Sequence, residues 1–245
     1  MEKARLQRMK GLVRARILCT AAAPVPLKIA LILGSTRTEG PPRPANVGSR
    51  VGMFVAAQLS QRGHAVDVVD PIVEDLPLLV KPHFAYRQGA APESMERLAA
   101  RLKEANAYVM MTPEYNHAPS PALLNLLNHF GGSTFAFKPS AIISYSQGQW
   151  GGTRAAITLR PVLSELGCLP VSAMVHVPKA HEVFDERGAV VGDDAEAARW
   201  VSYSARVWSQ LEWWGGAAKL HREVVDPTSG SPPLRASPSQ RNAPS

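Results

Sequence analysis

From residue 27 onward, hydrophobic positions fall into two alternating patterns. Short apolar runs read as buried parallel strands, and between them lie stretches with apolar residues every three or four positions, which read as helices. Residues 27–33 form the first strand. Residues 47–62 are helical, with Val51, Phe54, Val55 and Leu59 on one face, and Gly63 ends the helix. The second strand is 64–69, followed by a helix over 93–104 and a third strand at 107–111. A helix over 121–130 leads to the fourth strand, 141–144 with its neighbours. A helix over 153–166 runs up to Gly167, and the fifth strand is 171–177. The last element is a helix over 195–214, in which Trp200, Tyr203, Val207, Leu211 and Trp214 are spaced for one buried face.

Five strand-then-helix units in about 200 residues predict an α/β fold, a doubly wound five-stranded parallel sheet with helices on both faces. In such sheets a ligand sits beyond the carboxyl ends of the strands, where the strand order reverses. The loops after strands one, three and four are therefore the ones to inspect. Residues 28–225 read as one domain without internal repeats. Residues 226–245, rich in Pro and Ser and nearly free of apolar side chains, read as a disordered tail.

Charge changes the picture once it is located. Of the seven net positive charges, five lie in residues 1–27 and one in 226–245, which leaves one for the body. A near-neutral body with a basic arm is not a basic groove, and nucleic acid is not an expected partner. The arm, with Leu6, Met9, Val13 and Ile17 at helical spacing among arginines and lysines, has the pattern of an organelle transit peptide. A disordered extension, or translation starting at Met9, are the alternative readings. Two cysteines, Cys19 and Cys168, make no disulfide framework, so the chain reads as intracellular and cytoplasmic, with import through the arm as the other destination. No apolar stretch is long enough for a membrane span. His176 and His181 have no carboxylate cluster beside them and no metal-ligand spacing.

The first loop opens with Gly34-Ser35-Thr36-Arg37. Glycine admits an anion close to the backbone, Ser35 and Thr36 add hydroxyls, and Arg37 adds a planar, permanently charged fork. Neither a G-x-G-x-x-G fingerprint nor a Walker A loop is present. An inserted segment, 39–44, lengthens the loop before it closes on a helix N-terminus near Val47, Gly48 and Ser49, whose free N–H groups suit a phosphate. The second loop is Thr112-Pro113-Glu114-Tyr115-Asn116-His117. Its proline fixes a turn dihedral, its asparagine both donates and accepts, and its tyrosine offers a flat face with a polar tip. Those features suit a flat heteroaromatic ring. The third loop, 144–152, sets Gln147, Gly148, Gln149, Gly151 and Gly152 around Trp150. That composition suits backbone approaching a ligand edge beside an aromatic wall.

These three loops, in this order, resemble those of the NADPH-dependent FMN reductase family, a flavodoxin-like group that includes quinone and azo-type reductases. The similarity runs from about residue 28 to 214, and Pro113-Glu114-Tyr115-Asn116 is its most specific part. The resemblance implies non-covalent FMN, with Ser35, Thr36 and Arg37 on its phosphate. It places Pro113, Glu114, Tyr115, Asn116, Gln147, Gly148, Trp150 and Gly151 against the isoalloxazine ring. It also implies NADPH as hydride donor, a quinone, flavin or other small molecule as electron acceptor, and a homodimer or tetramer. The chemistry belongs to the cofactor, so no protein general acid or base is expected, and His117 is the one side chain suited to a mild hydrogen-bonding role. The family often has a lysine where this chain has Leu124, ahead of Asn125. Two other readings of the fold are an electron-carrier flavodoxin and a flavin-binding protein that does not oxidise NADPH. The near-neutral body and the arginine in the cradle favour the reductase.

Overall fold

Residues 24–227 and 229 are described by a computed structural model; most of the basic arm and of the Pro/Ser-rich tail lies outside them. The strands are β1 (Lys28–Ile32), β2 (Ala65–Val69), β3 (Ala107–Tyr115), β4 (Ala118–Pro119), β5 (Pro139–Tyr145) and β6 (Leu169–Val177). The helices are α1 (Val47–Gln61), α2 (Pro71–Glu74), α3 (Glu93–Glu104), α4 (Pro121–Phe130), α5 (Gly132–Phe135), α6 (Thr153–Glu165), α7 (Ala180–Val183) and α8 (Asp194–Arg222). Five strands run parallel in the order β2-β1-β3-β5-β6, with β4 antiparallel on β3. This is the flavodoxin-like doubly wound order, and its switch point lies between β1 and β3.

Side-chain alternation divides the interior into two layers. Ile29 and Leu31, Val109 and Met111, and Ala141, Ile143 and Tyr145 face α1 and α8. Ala30 and Ile32, Tyr108 and Met110, and Ile142 face α3, α4 and α6. Both faces of the central strands are covered, which is why their sequences are apolar throughout rather than alternating.

Two predicted elements differ from the structure. Strand three does not stop at Met111. Its ladder to β5 continues to the pair Pro113–Tyr145, and the chain then reverses through Asn116 and His117, at φ 52° and 66°, to pair Tyr115 with Ala118. The Pro-Glu-Tyr stretch thus belongs to a strand end, not a loop. The last helix continues to Arg222, and its buried stripe is Ser204, Val207, Trp208, Leu211, Glu212 and Gly215. Tyr203 and Trp214, expected in that stripe, are exposed. The reason is a close approach: a Cβ on Gly215 would come within 2.6 Å of Leu27 Cδ1, so the glycine face turns inward and Trp214 turns out.

A buried polar cluster ties α8 to the opposite end of α1. The guanidinium of Arg62 donates to both Glu212 oxygens at 2.5 and 2.7 Å, and His64 Nε2 lies 3.0 Å from the same carboxylate. The Leu27 N–H donates to His64 Nδ1 at 3.4 Å, so Nε2 carries the proton that Glu212 accepts.

Candidate functional site

Beyond the carboxyl ends of β1, β3 and β5 lies a cleft of about 380 Å³. Ser35, Arg37, Pro113, Glu114, Tyr115 and Gln147 line it, all expected from the sequence. Tyr145, Ser146, Val47, Gly48, Pro41 and Pro42 also line it. Thr36, Asn116, Gly148, Trp150 and Gly151 lie outside that lining; the first four are exposed, and Gly151 is buried.

The first loop is built tightly at its base. A Cβ on Gly34 would overlap the Met111 carbonyl oxygen, so only glycine allows β1 to leave the sheet here beside β3. The Ser35 hydroxyl oxygen accepts from the Arg37 N–H at 3.2 Å, and the Asn46 N–H closes the loop on the Arg37 carbonyl at 3.1 Å. The inserted segment folds back over this base. The Arg37 guanidinium donates to the Pro42 carbonyl at 2.8 and 3.0 Å and to the Gly40 carbonyl at 3.3 Å. Gln147 Nε2 donates to the Pro44 carbonyl at 2.7 Å, which joins the first loop to the third. Arg37 and Gln147 therefore organise the inserted segment while facing the cleft. Helix α1 begins here with Asn46 in a left-handed conformation and no side-chain cap; the Ser49 N–H donates to the Asn46 carbonyl at 3.2 Å, and the Val47 and Gly48 N–H groups ahead of it are left for a ligand.

Glu114 has a positional task that the sequence did not reveal. Its carboxylate accepts from the Arg154 and Ala155 N–H groups at 3.1 and 3.3 Å, and from the Arg154 side chain at 2.9 and 2.8 Å. Helix α6, whose N-cap Gly152 offers no side chain, is thus capped from β3. Burial pushes the Glu114 carboxyl up, but the bonds from Arg154 and from the helix N–H groups outweigh it and hold it below the ordinary carboxylate range. The Arg154 guanidinium lies 6.0 Å from the centre of the Trp150 ring. Gly151 is set by packing: a Cβ there would lie 2.9 Å from the Pro178 backbone nitrogen.

His117 is an exposed turn residue. Asn125, next to the departing Leu124, accepts from the Leu79 N–H and donates to the Pro77 carbonyl, both at 2.9 Å, and so pins the 77–79 segment to α4. Among the described residues no cluster of His, Cys, Asp or Glu suits a metal ion.

Of the lining residues that were missed, Tyr145 was the most accessible to sequence reasoning. It sits two and four positions after Ile143 and Ala141, so strand alternation alone turns it toward α1. Pro41 and Pro42 had no such signal, because their place depends on how the insertion folds.

Strand order and cleft together define a flavodoxin-like α/β protein with a preformed cleft at its switch point. The chain belongs to the NADPH-dependent FMN reductase family, whose model matches residues 27–182. It is 28% identical over 156 residues to an NAD(P)H-dependent FMN reductase of Pseudomonas aeruginosa, covering 60% of this chain and 82% of that one. It is 32% identical over 144 residues to a probable NADPH:quinone oxidoreductase of Oryza sativa, covering 58% and 68%. Among solved structures it resembles FerB, a flavoenzyme NAD(P)H:(acceptor) oxidoreductase from Paracoccus denitrificans. The TM-score is 0.56 at 21% identity, over 77% of this chain and 97% of that one, a likeness of fold.

Proposed function

We propose that the protein is an FMN-dependent oxidoreductase that uses NADPH to reduce quinones, flavins or similar small acceptors. The observation that carries this is the cleft itself. An uncapped 15-residue helix start, a glycine cradle, Ser35 and Arg37 meet at one end, and the Pro113–Tyr115 strand end flanks the rest. That donor set fits FMN: hydroxyl, guanidinium and backbone N–H groups suit a phosphate, and a flat wall suits a ring. When bound, FMN supplies the redox chemistry, taking hydride from the nicotinamide and passing electrons to the acceptor. The protein's part is to place and shield. Ser35, Arg37 and the α1 N–H groups hold the phosphate end, with Thr36 at the rim. Backbone groups of Pro113, Glu114 and Gln147 would edge the ring within the cleft, and Tyr115, with Asn116, Gly148, Trp150 and Gly151 from outside the present lining, would complete its surroundings.

The near-neutral body supports small-molecule partners rather than nucleic acid. Exposed Tyr115 on the cleft and exposed Trp150 in the third loop support a homodimer or tetramer with the site close to the interface. No helix among the described residues is long and apolar enough to cross a membrane. The chain's two cysteines, Cys19 and Cys168, too few for a disulfide framework, support a cytoplasmic reading, with import through the basic arm as the other destination.

The experiment is a visible spectrum of the purified protein with FMN, followed by NADPH consumption with a quinone added. The expected result is a bound flavin spectrum and steady turnover. Bound flavin without NADPH oxidation would assign the chain to electron carriage instead, and failure to take up FMN would overturn the reading altogether.

A further inference from the structure

Tyr145, the last residue of β5, is 4% exposed, and its hydroxyl has no hydrogen-bond partner among the described residues. A buried hydroxyl left unpaired is costly, and each such group in a folded protein calls for an explanation. Ser35 flanks the phenol near enough to influence it, and accepts from the Arg37 N–H at 3.2 Å, but makes no hydrogen bond of good geometry with the phenol. The phenol tip lies against the second residue of α1: a Cβ on Gly48 would overlap the hydroxyl. Tyr145 lines the cleft together with Arg37, and its hydroxyl rests against the first turn of α1. Burial pushes the phenol well above its ordinary range, so it keeps its proton and can donate.

We propose that Tyr145 is a phosphate-binding residue of this site, its hydroxyl donating to the phosphate monoester that the helix start and Arg37 attract. The inference rests on the flavin reading and adds a donor that the loop motifs do not contain. Among the described residues the hydroxyl has no hydrogen-bond partner of good geometry, and a phosphate oxygen would supply one. Gly48 follows from the same geometry, since only a residue without a side chain leaves the phenol its place.

The test is Tyr145→Phe, which removes one oxygen and keeps the ring. Flavin fluorescence quenching should show FMN affinity reduced about ten- to a hundred-fold, the range for a hydrogen bond to a charged group. Riboflavin, which lacks the phosphate, should bind both proteins equally. The thermal midpoint of the flavin-free variant should equal or exceed that of the unaltered protein. Unchanged FMN affinity would overturn the proposal, as would a parallel loss for riboflavin or a variant that fails to fold, which would make the hydroxyl structural. Failure of the flavin reading shows separately, as unaltered protein that takes up neither flavin. Inorganic phosphate then decides: a rise in thermal midpoint lost in Tyr145→Phe supports the proposal, and equal rises or none overturn it.

Discussion

Gly34 and Arg37 stand three residues apart and answer to different constraints. At Gly34 the limit is backbone: an added methyl would strike the Met111 carbonyl in the neighbouring strand, and neither partner can move without disturbing the sheet. Gly34→Ala should therefore destabilise the fold by about 1–3 kcal/mol, seen as a lower urea midpoint with an unchanged slope. Gly40, at φ 78° with nothing near the position of a Cβ, carries only the conformational part of such a cost. At Arg37 the limit is charge. Its fork already holds the Pro42 and Gly40 carbonyls, and the same cation faces the cleft. Arg37→Ala should weaken FMN binding by roughly 1.5–3 kcal/mol in a fluorescence titration. Equal affinities would mean that the guanidinium serves the inserted segment alone.

Among the elements, the contact between the end of β3 and the start of α6 is where motif and architecture meet. Glu114 reads from sequence as a ligand contact, whereas its carboxylate is engaged by two helix N–H groups and by Arg154. It holds the third loop against the second. Glu114→Ala leaves a half-exposed guanidinium and two helix N–H groups without their acceptor. The expected loss is about 1.5–3 kcal/mol of stability, with faster amide exchange in the first turn of α6. Exchange confined to global unfolding would contradict that account. The β3–β4 turn shows a related economy of means. Asn116 and His117 both take left-handed backbone angles, which suits a two-residue hairpin, so the polar residues of the motif shape the strand end as well as bordering the cleft.

For the whole molecule, Glu212 links three elements that close the fold: α8 carries it, α1 ends at Arg62, and His64 leads into β2. Burial pushes this carboxyl up, but Arg62 and His64 outweigh burial and hold it below its ordinary range. The unfolded chain then binds the proton more readily than the folded one. The pair's contribution is complete above the ordinary carboxylate value and is lost as pH falls from there through the lowered folded value. Urea midpoints measured from neutral pH down to about 3 should show that loss, and Glu212→Gln, less stable at neutral pH, should show a shallower acid slope. The five parallel strands and the five long helices were legible in the sequence, because burial on both faces makes parallel strands continuously apolar and helices carry their own period, whereas β4 and the short helices α2, α5 and α7 were not. That Ser35, Arg37 and Pro113–Tyr115 would share one cleft was legible for a similar reason, since local chemistry is written in adjacent residues. What only the tertiary structure decided are relations between distant residues. Glu114 caps a helix forty residues away, and the inserted prolines form a cleft wall held by Gln147. The inward face of α8 turns on how closely Gly215 approaches Leu27, and the Tyr145 hydroxyl ends at a helix start with no partner. Each depends on how elements dock, and docking is set by the packing of side chains far apart in the chain, which no local pattern records.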